Sequence, residues 1–74
     1  MDSFENISDR ELAIEIGKID MQLIVADYAY QNAWRTEMPR AARDILWDEI
    51  ETLTKRRVAL AEEWLRRYRA SQLN

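Results

Sequence analysis

Cysteine and histidine are both missing from this 74-residue chain, and glycine and proline occur once each. Without cysteine there is no disulfide and no thiolate metal site. Without histidine the commonest metal ligand and the commonest general base are gone too. A single glycine and a single proline argue against a β-rich or loop-rich fold. Apolar runs are short, and none approaches the roughly 18 residues of a membrane span. No nucleophile–base pair, glycine-rich phosphate loop or metal-ligand cluster is present. The chain is therefore expected to be non-enzymatic, to hold no cofactor and no metal, and to have no membrane partner.

What is present is charge and apolar bulk, at 34% and 47% of residues, a composition that suits a helical protein. The length makes one domain, residues 1–74. A fold this small usually needs disulfides, a metal or oligomerisation, and only the last is left. The net charge of −3 is uneven. Residues 1–20 carry six acids and two bases, a balance of −4, whereas residues 39–74 carry eight bases and six acids, a balance of +2. The acidic total argues against a dedicated DNA binder. The start, Met1-Asp2-Ser3-Phe4-Glu5, lacks a signal peptide's basic residues, so a cytoplasmic location is expected.

Leu12, Ile16, Ile19, Leu23, Ala26, Tyr30 and Ala33 alternate at spacings of four and three, a helical stripe of about three heptads. Ser8-Asp9-Arg10-Glu11 is a capping box, and Ile7 and Leu12 have the spacing of a hydrophobic staple. Helix 1 is thus expected over about 8–35. Before it, residues 1–7 are expected to be loose except Phe4 and Ile7. Thr36-Glu37-Met38-Pro39 breaks the pattern. The turn is read at 36–38, with Thr36 or Met38 capping a helix 2 over about 39–71. So short a connection predicts an antiparallel pair. The helix 2 stripe is Ala42, Leu46, Ile50, Leu53, Leu60 and Trp64, flanked by Trp47, Val58, Ala61, Leu65 and Tyr68. The pairs Glu51–Lys55, Glu62–Arg66 and Glu63–Arg67 are read as a solvated face.

Helix 1 has a second apolar face: Ile14, Gly17, Met21, Val25 and Tyr28, with Ile24 beside it. A helix that is apolar on two faces must be covered on two faces. These six residues are the expected oligomer interface, most simply with another copy of the chain. Gly17 fits there as a point of close helix approach. The run Leu12-Ala13-x-x-Ile16-Gly17 has the small-residue spacing of a helix-turn-helix core. The heptads continue through Gly17 without the turn that motif requires.

Arg57 interrupts the apolar stripe of helix 2. An antiparallel turn brings it within a helical turn of Asp20, so Asp20–Arg57 is a candidate buried ion pair. Asp20 and Asp27, one heptad apart, are read as paired or exposed. Tyr30, Trp34 and Trp47 should cluster at the loop end, with Arg35, Arg40 and Arg43 around them. Arg35, Arg40, Arg43, Trp34 and Trp47 are therefore candidate partner- or anion-binding residues, with Arg40 and Arg43 exposed. The segment Trp64-Leu65-Arg66-Arg67-Tyr68-Arg69 is expected to close the open end against Phe4, Ile7 and Leu12.

The expected fold is all-α, an antiparallel helical hairpin that oligomerises into a dimeric four-helix bundle. The expected function is that of a small homo-oligomeric binding or regulatory protein, an inhibitor or adaptor acting on another protein. Its size and Met1 start suit a stand-alone regulator of phage or bacterial origin. One alternative is nucleic-acid or nucleotide binding through the arginine–aromatic loop end. Another is a helical subunit of a larger hetero-assembly.

Overall fold

The computed structural model describes residues 4–72. Two helices account for most of them: α1, Asp9–Arg35, and α2, Arg40–Gln72. No strand occurs among the described residues. The helices form a hairpin rod of 54 × 21 × 17 Å with a radius of gyration of 15.8 Å. A compact chain of this length would have a radius near 11 Å, so the molecule is long for its mass.

Local chemistry sets the boundaries. The Ser8 hydroxyl accepts from the Glu11 amide at 3.0 Å, which satisfies one of the free donors of the first turn of α1. Ile7 packs on the cluster that contains Leu12, so the staple forms. At the other end Thr36 caps α1, not α2 as the sequence suggested. Its amide and hydroxyl both donate to the Asn32 carbonyl at 2.9 Å. The Met38 amide then reaches back to the Ala33 carbonyl at 2.9 Å, and the Glu37 amide to the Trp34 carbonyl at 3.2 Å. This is a Schellman motif, and its left-handed position is held by Glu37 at φ 56° in place of the usual glycine. The Pro39 carbonyl accepts from the Ala42 and Arg43 amides and opens α2 one residue later than expected. The expected fraying at Leu73 and Asn74, like the first three residues, lies outside the described residues.

Every seventh residue of α1, at Leu12, Ile19, Ala26 and Ala33, is buried against α2. Ile16, Leu23 and Tyr30 between them are half-buried. On α2 the matching line is Leu46, Ile50, Leu53, Arg57 and Leu60, of which Leu60 is fully buried. The densest packing lies toward the termini, where Leu12, Ile19 and Leu60 gather Phe4, Ile7, Ile16 and Leu53. Toward the loop the buried side chains are alanines, and Tyr30 with Trp47 fills the space, their rings 5.4 Å apart.

The α2 flank read as part of the stripe lies outside it. Trp47, Val58, Leu65 and Tyr68 are exposed and Ala61 is half-buried; Trp64, expected in the stripe itself, is exposed too, and the buried residue in the last turns is Glu63. The cause is geometric. A two-helix seam is narrow, and α2 outruns α1, so no facing helix covers the flank or the last turns.

The left-handed glutamate yields a direct test. An L-residue with a side chain in that conformation costs about 1–2 kcal/mol, a cost that glycine avoids. Part of the gain returns through the greater freedom of glycine in the unfolded chain. Glu37→Gly should therefore raise stability by up to about 1 kcal/mol, read as an increased urea midpoint at unchanged m-value.

Candidate functional site

Three surfaces concentrate unusual chemistry: the loop end, the outer face of α1, and the open end where the N-terminal segment meets α2. Two ion pairs fix the register that assembles them. Arg57 Nε donates to Asp20 Oδ1 at 2.6 Å in mid-rod, and Arg67 Nη1 donates to Asp9 Oδ1 at 2.9 Å near the end. Both describe the same antiparallel alignment. The Asp20–Arg57 pair is half-exposed, not buried, because the Arg57 side chain leaves the central line and joins the lining of a lateral groove. It joins the helices without the full desolvation cost of a buried pair.

At the loop end the turn brings the last residues of α1 against the first of α2. The Arg43 guanidinium lies over the Trp34 ring, 3.7 Å from its centroid. Tyr30 meets Trp34 edge-on at 6.4 Å and tilts against Trp47 at 5.4 Å. The Trp47 indole N–H donates to Glu51 Oε1 at 2.7 Å, so that ring is held along α2. Tyr30, Trp34, Arg40, Arg43 and Asp44 line an open cleft of about 420 Å³. Arg40 is exposed, its Nε 3.8 Å from Asp44. Arg43 departs from the expected exposure: it is half-buried, and its Nε is buried without a hydrogen-bond partner. Its stem fills the elbow of the hairpin, which the sequence pattern alone did not show. Arg35, one residue beyond Trp34, is exposed and lies outside the cleft lining.

The outer face of α1 carries Ile14, Met21, Ile24, Val25 and Tyr28, each between 46% and 69% exposed. Gly17 lies among them, and a Cβ added there would meet nothing within 4 Å. Among the described residues none closes on the glycine, so its smallness serves no contact between α1 and α2.

The open end was expected to be aliphatic–aromatic beside a solvated charge face. It is instead a charged clamp. Glu63 is buried and accepts two bonds from Arg66, at 2.6 and 2.8 Å, and one from Arg67 Nε at 3.3 Å. Arg67 also donates to the Phe4 carbonyl at 2.7 Å. The paired guanidinium groups, Arg66 first, hold the Glu63 carboxyl down at about 2, and Glu63 in turn raises Arg66. Trp64 and Tyr68 stack outside the clamp, with rings 5.4 Å apart and 8° from parallel. The signal available in the sequence was the spacing of Glu63 and Arg67, which equally describes an exposed helix pair.

A lateral groove of about 370 Å³ between Ala13, Ile16, Arg57, Ala61, Trp64 and Leu65 was also missed. Ala13 and Ala61, small residues on the flanks of both helices, were its only trace. Among the described residues no acidic cluster is arranged to hold a metal ion. No helix among them is long and apolar enough to cross a membrane. In comparisons with known proteins the chain matches no family, no curated protein and no solved structure.

The clamp predicts a pH dependence. A carboxyl with a depressed folded pKa stabilises the fold above its unfolded pKa, near 4.3, and loses that contribution as pH falls toward the folded value. Glu63, held at about 2, should therefore make the protein lose stability between about pH 4.5 and pH 2. Glu63→Gln should be less stable at pH 7 and show a flatter decline over the same acid range. Urea midpoints measured against pH for both proteins check this.

Proposed function

We propose that this chain is a non-enzymatic, homo-oligomeric helical protein that regulates a macromolecular partner, as inhibitor or adaptor, by occupying its surface. One observation carries the reading: Ile14, Met21, Ile24, Val25 and Tyr28, on one face of α1, are turned outward. Contiguous exposed patches of this kind mark association sites. The absence of cysteine and histidine leaves few means of catalysis, which supports a binding role. In this reading the α1 face joins copies of the chain into a four-helix assembly, and the loop end, remote from it, meets another protein.

A second reading rests on a different observation. The Arg43–Trp34 stack beside exposed Arg40 is the pairing of cation and ring that holds a nucleobase or phosphate. Salt separates the two. Nucleic-acid binding through arginines weakens steeply between 50 and 200 mM salt, whereas docking on apolar surface does not.

Two measurements test the proposal. Light scattering at micromolar concentration should return a multiple of 8.9 kDa, and a folded monomer would refute the homo-oligomer. Arg40→Glu with Trp34→Ala leaves the central seam intact and removes the loop-end chemistry. Helix content by circular dichroism should persist while partner binding falls at least tenfold. Unchanged binding would move the partner surface to the lateral groove.

A further inference from the structure

We infer that a second copy of this chain docks antiparallel along the outer face of α1, about a two-fold axis near Met21. The inference rests on the homo-oligomeric reading through the α1 face and adds the orientation and the position of the axis. The occupant is argued from area, shape and charge.

Area comes first. The chain exposes 6060 Å², whereas a compact monomer of this mass exposes about 4,800 Å². The excess is more than the roughly 800 Å² that each partner buries in a stable dimer. The face is also patterned for a helix. Ile14, Gly17, Met21, Ile24 and Tyr28 alternate by three and four, the spacing of a second coiled-coil seam, with Val25 beside it. That seam lies on the side of α1 remote from the residues buried against α2.

Shape then selects the orientation. Glycine within a helix costs about 1 kcal/mol relative to alanine, and none of the described residues comes within 4 Å of a Cβ built at Gly17. The glycine and the seam's largest residue, Tyr28, lie on opposite sides of Met21. Antiparallel docking lays the glycine half of one copy on the tyrosine half of the other. Parallel docking would set glycine on glycine, leaving a gap, and tyrosine on tyrosine, crowding the far end.

Charge makes the same choice. Asp9 and Glu11 sit in the first turn of α1 and Arg35 in its last. Arg40 and Arg43 follow just past the turn. An antiparallel pair sets the first turn of each α1, with Asp9 and Glu11, beside the last turn of the other, with Arg35, and opposes the two helix dipoles. A parallel pair would bring like ends together. The α1 helices overlap over nearly their whole length in the antiparallel case, and the loop-end clefts then stand at opposite ends of the assembly. They are separated by roughly 40 Å at 1.5 Å per residue.

The test uses the full chain, which has no cysteine to interfere. Met21→Glu should convert the oligomer to a monomer in light scattering while helix content by circular dichroism is retained. A spin label on Arg35→Cys should report an interlabel distance above about 30 Å in the antiparallel dimer and below about 20 Å in a parallel one. A wild-type monomer would defeat the homo-oligomeric reading itself. A wild-type oligomer that survives Met21→Glu would leave that reading standing and overturn this surface in favour of the lateral groove. Loss of the oligomer with a short label distance would overturn the orientation. Should Met21→Glu fail to fold, the label distance on the otherwise unaltered seam still decides between the orientations.

Discussion

Two helices lying side by side touch along one line, and the rest of this structure follows from that limit. A single seam buries one narrow stripe on each helix, however many apolar residues the sequence supplies. Among the described residues five hydrophobic side chains are buried, whereas thirteen large ones are exposed. The surplus is not scattered. On α1 most of it collects on the side opposite the seam, and on α2 Trp64 and Leu65 line the lateral groove. A soluble monomer gains nothing from either placement. In the proposed assembly this pattern becomes the surface of a component, with the hairpin as half of a larger packing unit.

The same limit explains why charge does structural work in this molecule. Near the termini α2 continues past the start of α1, so its last turns have no helix to pack on. The N-terminal segment folds back along the hairpin, with the Phe4 ring 5.8 Å from the Arg56 guanidinium. It is held by Arg67, which reaches the Phe4 carbonyl and Asp9 together and is itself oriented by Glu63. Phe4 and Ile7 then reach the cluster of Leu12, Ile19 and Leu60. A charged network here fixes which segment closes the end, a directional task that apolar contact alone performs poorly. The mid-rod Arg57–Asp20 pair fixes alignment between the helices in the same way.

Much of the architecture was legible in the sequence because it depends on local signals. The four–three stripe of α1, the Ser8 cap, the Ile7–Leu12 staple and the break before Pro39 each act within a few residues. Together they set two helices and an antiparallel turn. The reach from Arg57 to Asp20 was legible as well, since the turn position fixes which residues face one another. The phase of the last turns of α2 was not. Trp64 and Glu63 are neighbours, and hydrophobicity favours burying the tryptophan. Arg67 and Arg66 reverse that choice by neutralising Glu63, and the benefit depends on a carbonyl more than sixty residues away. Thr36 was misassigned for a related reason. A threonine before a proline suits the start of a helix, but here its hydroxyl is taken by the preceding turn. The half-burial of Arg43 likewise required the fold of the elbow, where Trp34 offers a ring face that no periodicity displays.

The separation of surfaces along the rod bears on how a protein this small combines assembly with recognition. The outer seam of α1 spans Ile14 to Tyr28 and stops about two turns before the helix ends at Arg35. The loop-end cleft begins beyond it, with Tyr30 and Trp34 facing α2 instead of the outside. The two chemistries therefore share one helix without sharing a residue. A helix of 27 residues is long enough for this division because its faces repeat every seven residues and its ends are some 40 Å apart. A shorter hairpin would have to choose between covering its apolar face and presenting a free tip. The extended shape, unfavourable for an isolated domain of this mass, would allow the proposed assembly to bury one surface while the other stays open.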